Sequence, residues 1–228
     1  MKLFIANKNY SSWSLRPWVL MRVLEIPFEE SLEPFGLSAV ETTQKFKKFS
    51  PSAQVPCLHD GELRVWDSLA ITEYLAERYL AVWPADVAAR AWARSATSQM
   101  HAGFSDLRAE CSMTCGQRIV LRHVTAGLSR DLQRLDELWC EGLARFGGPF
   151  LAGACFTAVD AFYAPVAFRL QTYGLGLSLA ADAYRDRLLA LPAMGEWYTA
   201  ALREPWREAA HEAEIASRAQ SLTDLRAF

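Results

Sequence analysis

The chain has 228 residues and a net charge of −2, with 51% hydrophobic and 22% charged residues. That balance excludes an extensively disordered chain and leaves no basic surplus of the kind that holds nucleic acid; the length allows one large domain or two small ones. No apolar run approaches the ~20 residues a membrane-spanning helix needs, so the expectation is a cytoplasmic protein with neither a membrane nor a nucleic-acid partner.

Leu3 to Ala6 is a short, wholly apolar run of the sort buried on both faces of a small sheet. The polar turn Asn7 to Ser14 follows, and then Leu15 to Ile26 reads as a helix apolar around most of its girth. A strand, a hydroxyl-rich turn and a buried helix form a βα unit whose loop sits at the carboxyl end of the strand, where open α/β sheets place ligands. Pro27 to Leu32 reads as a second strand, and a lysine-rich helical segment spans Ser38 to Phe49.

In Gln54-Val55-Pro56 the proline cannot donate to a central strand, so it belongs at a strand start and is a candidate cis bond. Asp60-Gly61 supplies the turn of a hairpin joining Cys57–His59 to Leu63–Trp66. Asp67-Ser68 then precedes a helical pattern running to Tyr79, leaving free amides and small polar side chains at a helix N-terminus, a place that binds anions readily. The order through residue 82 is βαβαββα, the thioredoxin-like order.

Beyond Trp83-Pro84 the pattern is continuous helix, so a second, all-helical domain is expected over 86–228. One stripe runs from Ala91 through Met100 and Phe104 to Leu107, with Cys111 and Cys115 inside the same helical pattern; another runs from Leu128 to Phe146 and stops at Gly147-Gly148-Pro149. Thr157 and Asp160 have the spacing of a capping box. Shorter helices are expected over Tyr184–Leu191, Ala193–Arg203 and Trp206–Ala216. The five cysteines are odd in number and irregular in spacing, which fits free thiols in a reducing compartment; no metal site is expected.

Taken together, Gln54-Val55-Pro56, the hairpin and the Asp67-Ser68 helix start resemble the glutathione-recognition half of the glutathione S-transferase superfamily. The resemblance implies a thioredoxin-like domain over 1–82 followed by a helical-bundle domain, a homodimer, and glutathione as co-substrate. It implies that Val55 pairs its backbone with the cysteinyl part of glutathione, beside Gln54 and the cis-proline Pro56, and that Asp67 and Ser68 hold the γ-glutamyl group. The turn YSSWSLR resembles the SSCSWR motif of the zeta class, whose first serine hydrogen-bonds the glutathione sulfur. Ser11 takes that serine's place and Ser12 the second; both are candidate catalytic residues, Ser11 the favoured one, while Ser14 reads as a cap and Tyr10 as packing. A hydroxyl is the required chemistry because a free thiol is mostly protonated at neutral pH and only its thiolate is a good nucleophile. The implied activity is attack on a small electrophile, as in detoxification. Trp13 stands where the zeta motif has a cysteine, which weakens a maleylacetoacetate isomerase assignment and leaves a non-catalytic glutathione-binding protein as another alternative. His101, Phe104, Arg108 and Cys111, at helical spacing, are candidates to face the acceptor cleft, and Arg169 is a candidate to meet an anionic substrate.

Overall fold

The computed structural model describes residues 1–226; the last two residues of the expected second domain lie outside the described residues. The N-terminal part runs β1 (Lys2–Ile5), α1 (Ser12–Val23), β2 (Glu29–Leu32), α2 (Ala39–Phe46), β3 (Cys57–Asp60), β4 (Leu63–Val65) and α3 (Ser68–Ala76). Its sheet has the order β2-β1-β3-β4, with β1 parallel to β2 and antiparallel to β3. This is the βαβαββα arrangement read from the sequence. Leu3 and Ile5 alternate into the core beside Leu58, and α1 is buried from Ser14 to Met21. Helix α1 begins at Ser12 rather than Leu15 because the Ser11 side chain caps it, and it stops at Val23, before Glu25 turns to a φ of 54°.

The helical part comprises α4 (Val87–Ala102), α5 (Ser105–Glu110), α6 (Ala126–Phe146), α7 (Ala158–Tyr173), α8 (Leu179–Leu189), α9 (Pro192–Arg203) and α10 (Ala209–Arg218). Every residue of α7 except Gln171 is buried, and it packs against α1, α4 and α8. A helix apolar on all sides belongs at the centre of a core. The capping box forms as expected: the Thr157 amide donates to Asp160 Oδ2 at 2.9 Å, and Asp160 also accepts from the Leu151 amide and the Tyr184 hydroxyl.

Three sequence expectations need correction. The stripe through Leu107 is not one helix: it breaks at Gly103-Phe104, where Phe104 takes a left-handed φ of 54° and drives its ring into the core against Tyr163. Cys111 to Cys115 is not helical; both thiols are free and buried, and burial pushes the Cys111 thiol up to about 12. Finally, the segment after α5 forms a strand, β5 (Gln117–Leu121), which pairs antiparallel with β6 (Ala219–Asp224) at the far end of the chain. Neither strand carries a local signal strong enough to separate it from helix or loop. Among the described residues no helix is long and apolar enough to cross a membrane.

Candidate active site

Between β1 and α1 the chain folds back on itself, with the amides of Tyr10 and Ser11 donating to the Asn7 carbonyl at 3.1 and 2.9 Å. Ser11 caps α1: its Oγ accepts from the Ser14 amide and donates to Ser14 Oγ at 2.7 Å. Ser14 Oγ in turn accepts from the Ala6 amide at 3.2 Å. These two serines therefore bolt the helix start to the end of β1. Ser12, the first residue of α1, is half-buried, and its Oγ accepts from Arg169 Nη2 at 3.4 Å. Its own proton has no acceptor among the described residues. The Tyr10 hydroxyl donates to Glu212, and burial together with that carboxylate pushes it up to about 12, so it stays neutral and occupied.

Opposite this turn lies the Val55-Pro56 bond, which is cis, as the tight loop suggested. Gln54, Val55, Pro56 and Asp67 share one cavity of about 400 Å³ with Ser11 and Ser12; Phe35, Phe46 and Trp66 add apolar wall. Asp67 caps α3, its Oδ1 accepting from the Leu69 and Ala70 amides at 2.8 and 3.4 Å. Its Oδ2 lies 3.3 Å from His101 Nε2, reached across from α4. Burial lowers the His101 pKa, with Arg16 and Arg108 acting in the same direction against the pull of Asp67. Ser68 is fully buried outside the cavity wall, and its hydroxyl has no partner among the described residues.

A second cavity of about 500 Å³ opens between the two parts of the chain, with Ser12 and Trp13 on one side and Gly103, Ser105, Arg108 and Arg169 on the other. Around Trp13 three guanidinium groups gather, with the Asp67 carboxylate on the side of the first cavity. The guanidinium carbons of Arg16 and Arg108 lie 4.1 and 4.7 Å from its ring centre. Arg169, 6% exposed, spends one nitrogen on the Arg108 and Cys111 carbonyls and another on Ser12. Arg16, 2% exposed, leaves Nε and Nη1 without any partner among the described residues. Among the described residues none of the three arginines has a carboxylate oxygen within 4.0 Å. Burial lowers Arg16 to about 9 and Arg169 to about 10, each pushed further by the neighbouring guanidinium of Arg108. Buried cations without a counter-charge are costly, and such a cleft favours an anion.

Of the residues proposed from the sequence to face this cleft, Arg108 and Arg169 do so, while Phe104 and Cys111 are core. Arg16 was not singled out. Its signal in the sequence is slight, a charge near the start of a mostly apolar helical run that also carries Arg22 and Glu25.

A thioredoxin-like half whose cis-proline loop faces a serine turn, joined to a helical half across a cleft, defines a thiol-tripeptide-binding architecture. The chain matches the family model "Glutathione S-transferase, N-terminal domain" over residues 10–78 and "Glutathione S-transferase, C-terminal domain" over residues 90–200. It belongs to the glutathione S-transferase superfamily. A probable maleylacetoacetate isomerase of Vibrio cholerae is 30% identical over 210 residues, 86% of this chain and 95% of that one. Dichloromethane dehalogenase of Methylorubrum extorquens is 37% identical over 59 residues, 26% of this chain and 20% of that one. The first curated relatives are each matched over 27% of their own length or less. Among solved structures, a maleylacetoacetate isomerase from Methylobacterium extorquens AM1 with bound malonate and GSH has a TM-score of 0.66 at 22% identity, covering 90% of this chain and 98% of that one. At that identity the likeness concerns the fold alone.

Proposed function

We propose that this chain is a glutathione transferase in which the Ser12 hydroxyl holds the bound thiol as thiolate, acting on small electrophiles that carry a carboxylate. The observation that carries the reading is the pair of adjoining cavities meeting at Ser12, one walled by Gln54, Val55, Pro56 and Asp67 and the other by Arg108 and Arg169. Glutathione suits the first: the α3 N-terminus suits its γ-glutamyl carboxylate, Asp67 its amine, and Val55 its backbone, whereas Ser68 lies buried behind that wall. When bound, glutathione supplies the thiol nucleophile.

The residues of the chain then divide the work. Ser12 donates its free proton to a sulfur anion, and Arg169, bonded to Ser12 Oγ, leaves that proton as the one available donor. The N-terminus of α1 adds positive potential in the same place. Ser11, whose proton already serves Ser14, keeps the turn in shape. Arg108 and Arg169 hold the acceptor's carboxylate, a charge-assisted contact in which guanidinium is well matched. No side chain need act as a general base, because the thiol proton can leave to solvent.

The test is a pair of electrophiles alike at the reacting carbon, 4-(bromomethyl)benzoate and its methyl ester. A sulfur–carbon bond forms as the carbon–bromine bond breaks and bromide leaves, so both give a thioether and release acid. The acid should be preferred by ~10-fold or more in kcat/KM, the scale of one charge-assisted hydrogen bond. Equal rates would refute the anionic acceptor, and no turnover of either would refute the transferase. A second reading, isomerisation of an unsaturated diacid, is favoured by the same arginines and by the Vibrio cholerae relative over 95% of its length. Trp13 in place of the zeta cysteine counts against it; turnover of a maleyl-type diacid without consumption of glutathione would establish it.

A further inference from the structure

The turn that carries Ser11 and Ser12 is gripped from the opposite end of the chain. Tyr10, the residue before Ser11, accepts from Arg226 Nη1 at 2.8 Å although the two are 216 positions apart. The same guanidinium meets Glu212 on α10 and both carboxylate oxygens of Asp224. Its side chain is 1% exposed. Burial works against its charge, but the bonds to Asp224 and Glu212 outweigh that cost and hold the guanidinium above its ordinary range. The Tyr10 hydroxyl donates to Glu212, completing a closed triangle of tyrosine, arginine and carboxylate.

This grip depends on β6. The strand pairs with β5, and the bond from the Leu225 amide to the Gly116 carbonyl, 2.8 Å long, carries the ladder one step further to Arg226. Gly116 leaves the necessary room: a Cβ there would lie 2.3 Å from Arg226 Cγ. The same glycine donates its amide to Asn9 Oδ1 at 2.8 Å, so one spot touches both the strap and the turn. Glu204 braces the turn from beside α9, accepting from the Lys8 and Asn9 amides at 2.6 and 3.1 Å.

We propose that Arg226 is a positioning residue for the serine turn, the C-terminal strand β6 acting as a strap that fixes where the Ser12 hydroxyl points by holding Tyr10. The proposal rests on the reading that Ser12 serves the thiol, but it concerns a different part of the molecule. Arg226 lines neither cavity.

Two variants test it in the full chain. Arg226→Gln removes the charge; Tyr10→Phe keeps the ring and the Arg226 ion pairs while deleting the hydroxyl they hold, and it decides the matter if Arg226→Gln does not fold. Each should raise the pKa of glutathione thiol on the enzyme by about one unit, a tenfold loss of thiolate. In each, kcat should fall to match while the KM for glutathione stays unchanged, because Gln54, Val55 and Asp67 are untouched. The double variant should lose no more than either single one, as expected of partners in one network. A separate readout, amide hydrogen exchange over residues 7–14, should speed up in both. If folded variants keep the wild-type thiol pKa and wild-type exchange in that segment, the strap is structural decoration and the proposal falls. If the wild type itself shows no depressed thiol, the Ser12 reading fails instead, while hydrogen exchange still decides whether Arg226 holds the turn.

Discussion

Replacing Ser12 with alanine is the sharpest perturbation, because the two adjacent serines differ in what their protons do. Ser11 Oγ donates to Ser14 Oγ at 2.7 Å and caps α1, whereas Ser12 Oγ only accepts, from Arg169 at 3.4 Å. A hydrogen bond to a charged group contributes about 1.5–3 kcal/mol, or about one to two pKa units. Ser12→Ala should therefore raise the pKa of enzyme-bound glutathione thiol by about one to two units and cut thiolate at neutral pH by about 10- to 100-fold. Ser11→Ala should move that pKa by less than about one unit, through a loosened turn, and cost about 1 kcal/mol of stability through loss of the cap. Ultraviolet titration of the thiolate, with thermal unfolding of both variants in parallel, separates the outcomes. A thiol shift lost in Ser11→Ala and retained in Ser12→Ala would refute the assignment and return the role to the residue that the zeta motif favours.

Arg108→Gln, which leaves the Arg169–Ser12 bond in place, should weaken the preference for 4-(bromomethyl)benzoate over its ester while leaving the ester's rate within about threefold, read from kcat/KM on both. Thr157→Ala should cost about 1 kcal/mol in denaturant unfolding by opening the α7 capping box. Burial lifts the Asp160 carboxyl from 3.8 to about 6 despite its four donors. A raised carboxyl takes up its proton in the folded chain first, so the folded state gains stability as pH falls from about 6 towards 3.8 and lacks that gain above about 6. Asp160→Asn removes this titration, and its destabilisation should be larger near pH ~4 than near pH ~7, measured by unfolding at both. Gly142→Ala would put a Cβ 2.4 Å from the Trp92 ring and 2.7 Å from the Leu151 carbonyl. A loss of about 1–3 kcal/mol is expected, checked by thermal melting.

The features set by near neighbours were legible in the sequence: the βαβαββα order, the Asp60-Gly61 hairpin, the Asp67 cap, the α7 capping box and the Gly147 stop all follow from turn chemistry and periodicity within a few residues. The same local rules placed the serines after the first strand and Gln54, Val55 and Pro56 at the start of a later one; the antiparallel pairing of β1 with β3 brings both to the edge where the first cavity lies. Local rules failed where a residue's conformation is decided by what it meets elsewhere. Phe104 leaves the helical pattern because its ring is taken up by Tyr163, and Gln117–Leu121 is a strand only because Ala219–Asp224 returns to pair with it. Three serines in four positions look interchangeable along the chain. Only the folded molecule separates them, since Ala6, Ser14 and Arg169 arrive from three different directions to fix which proton each hydroxyl has left to give.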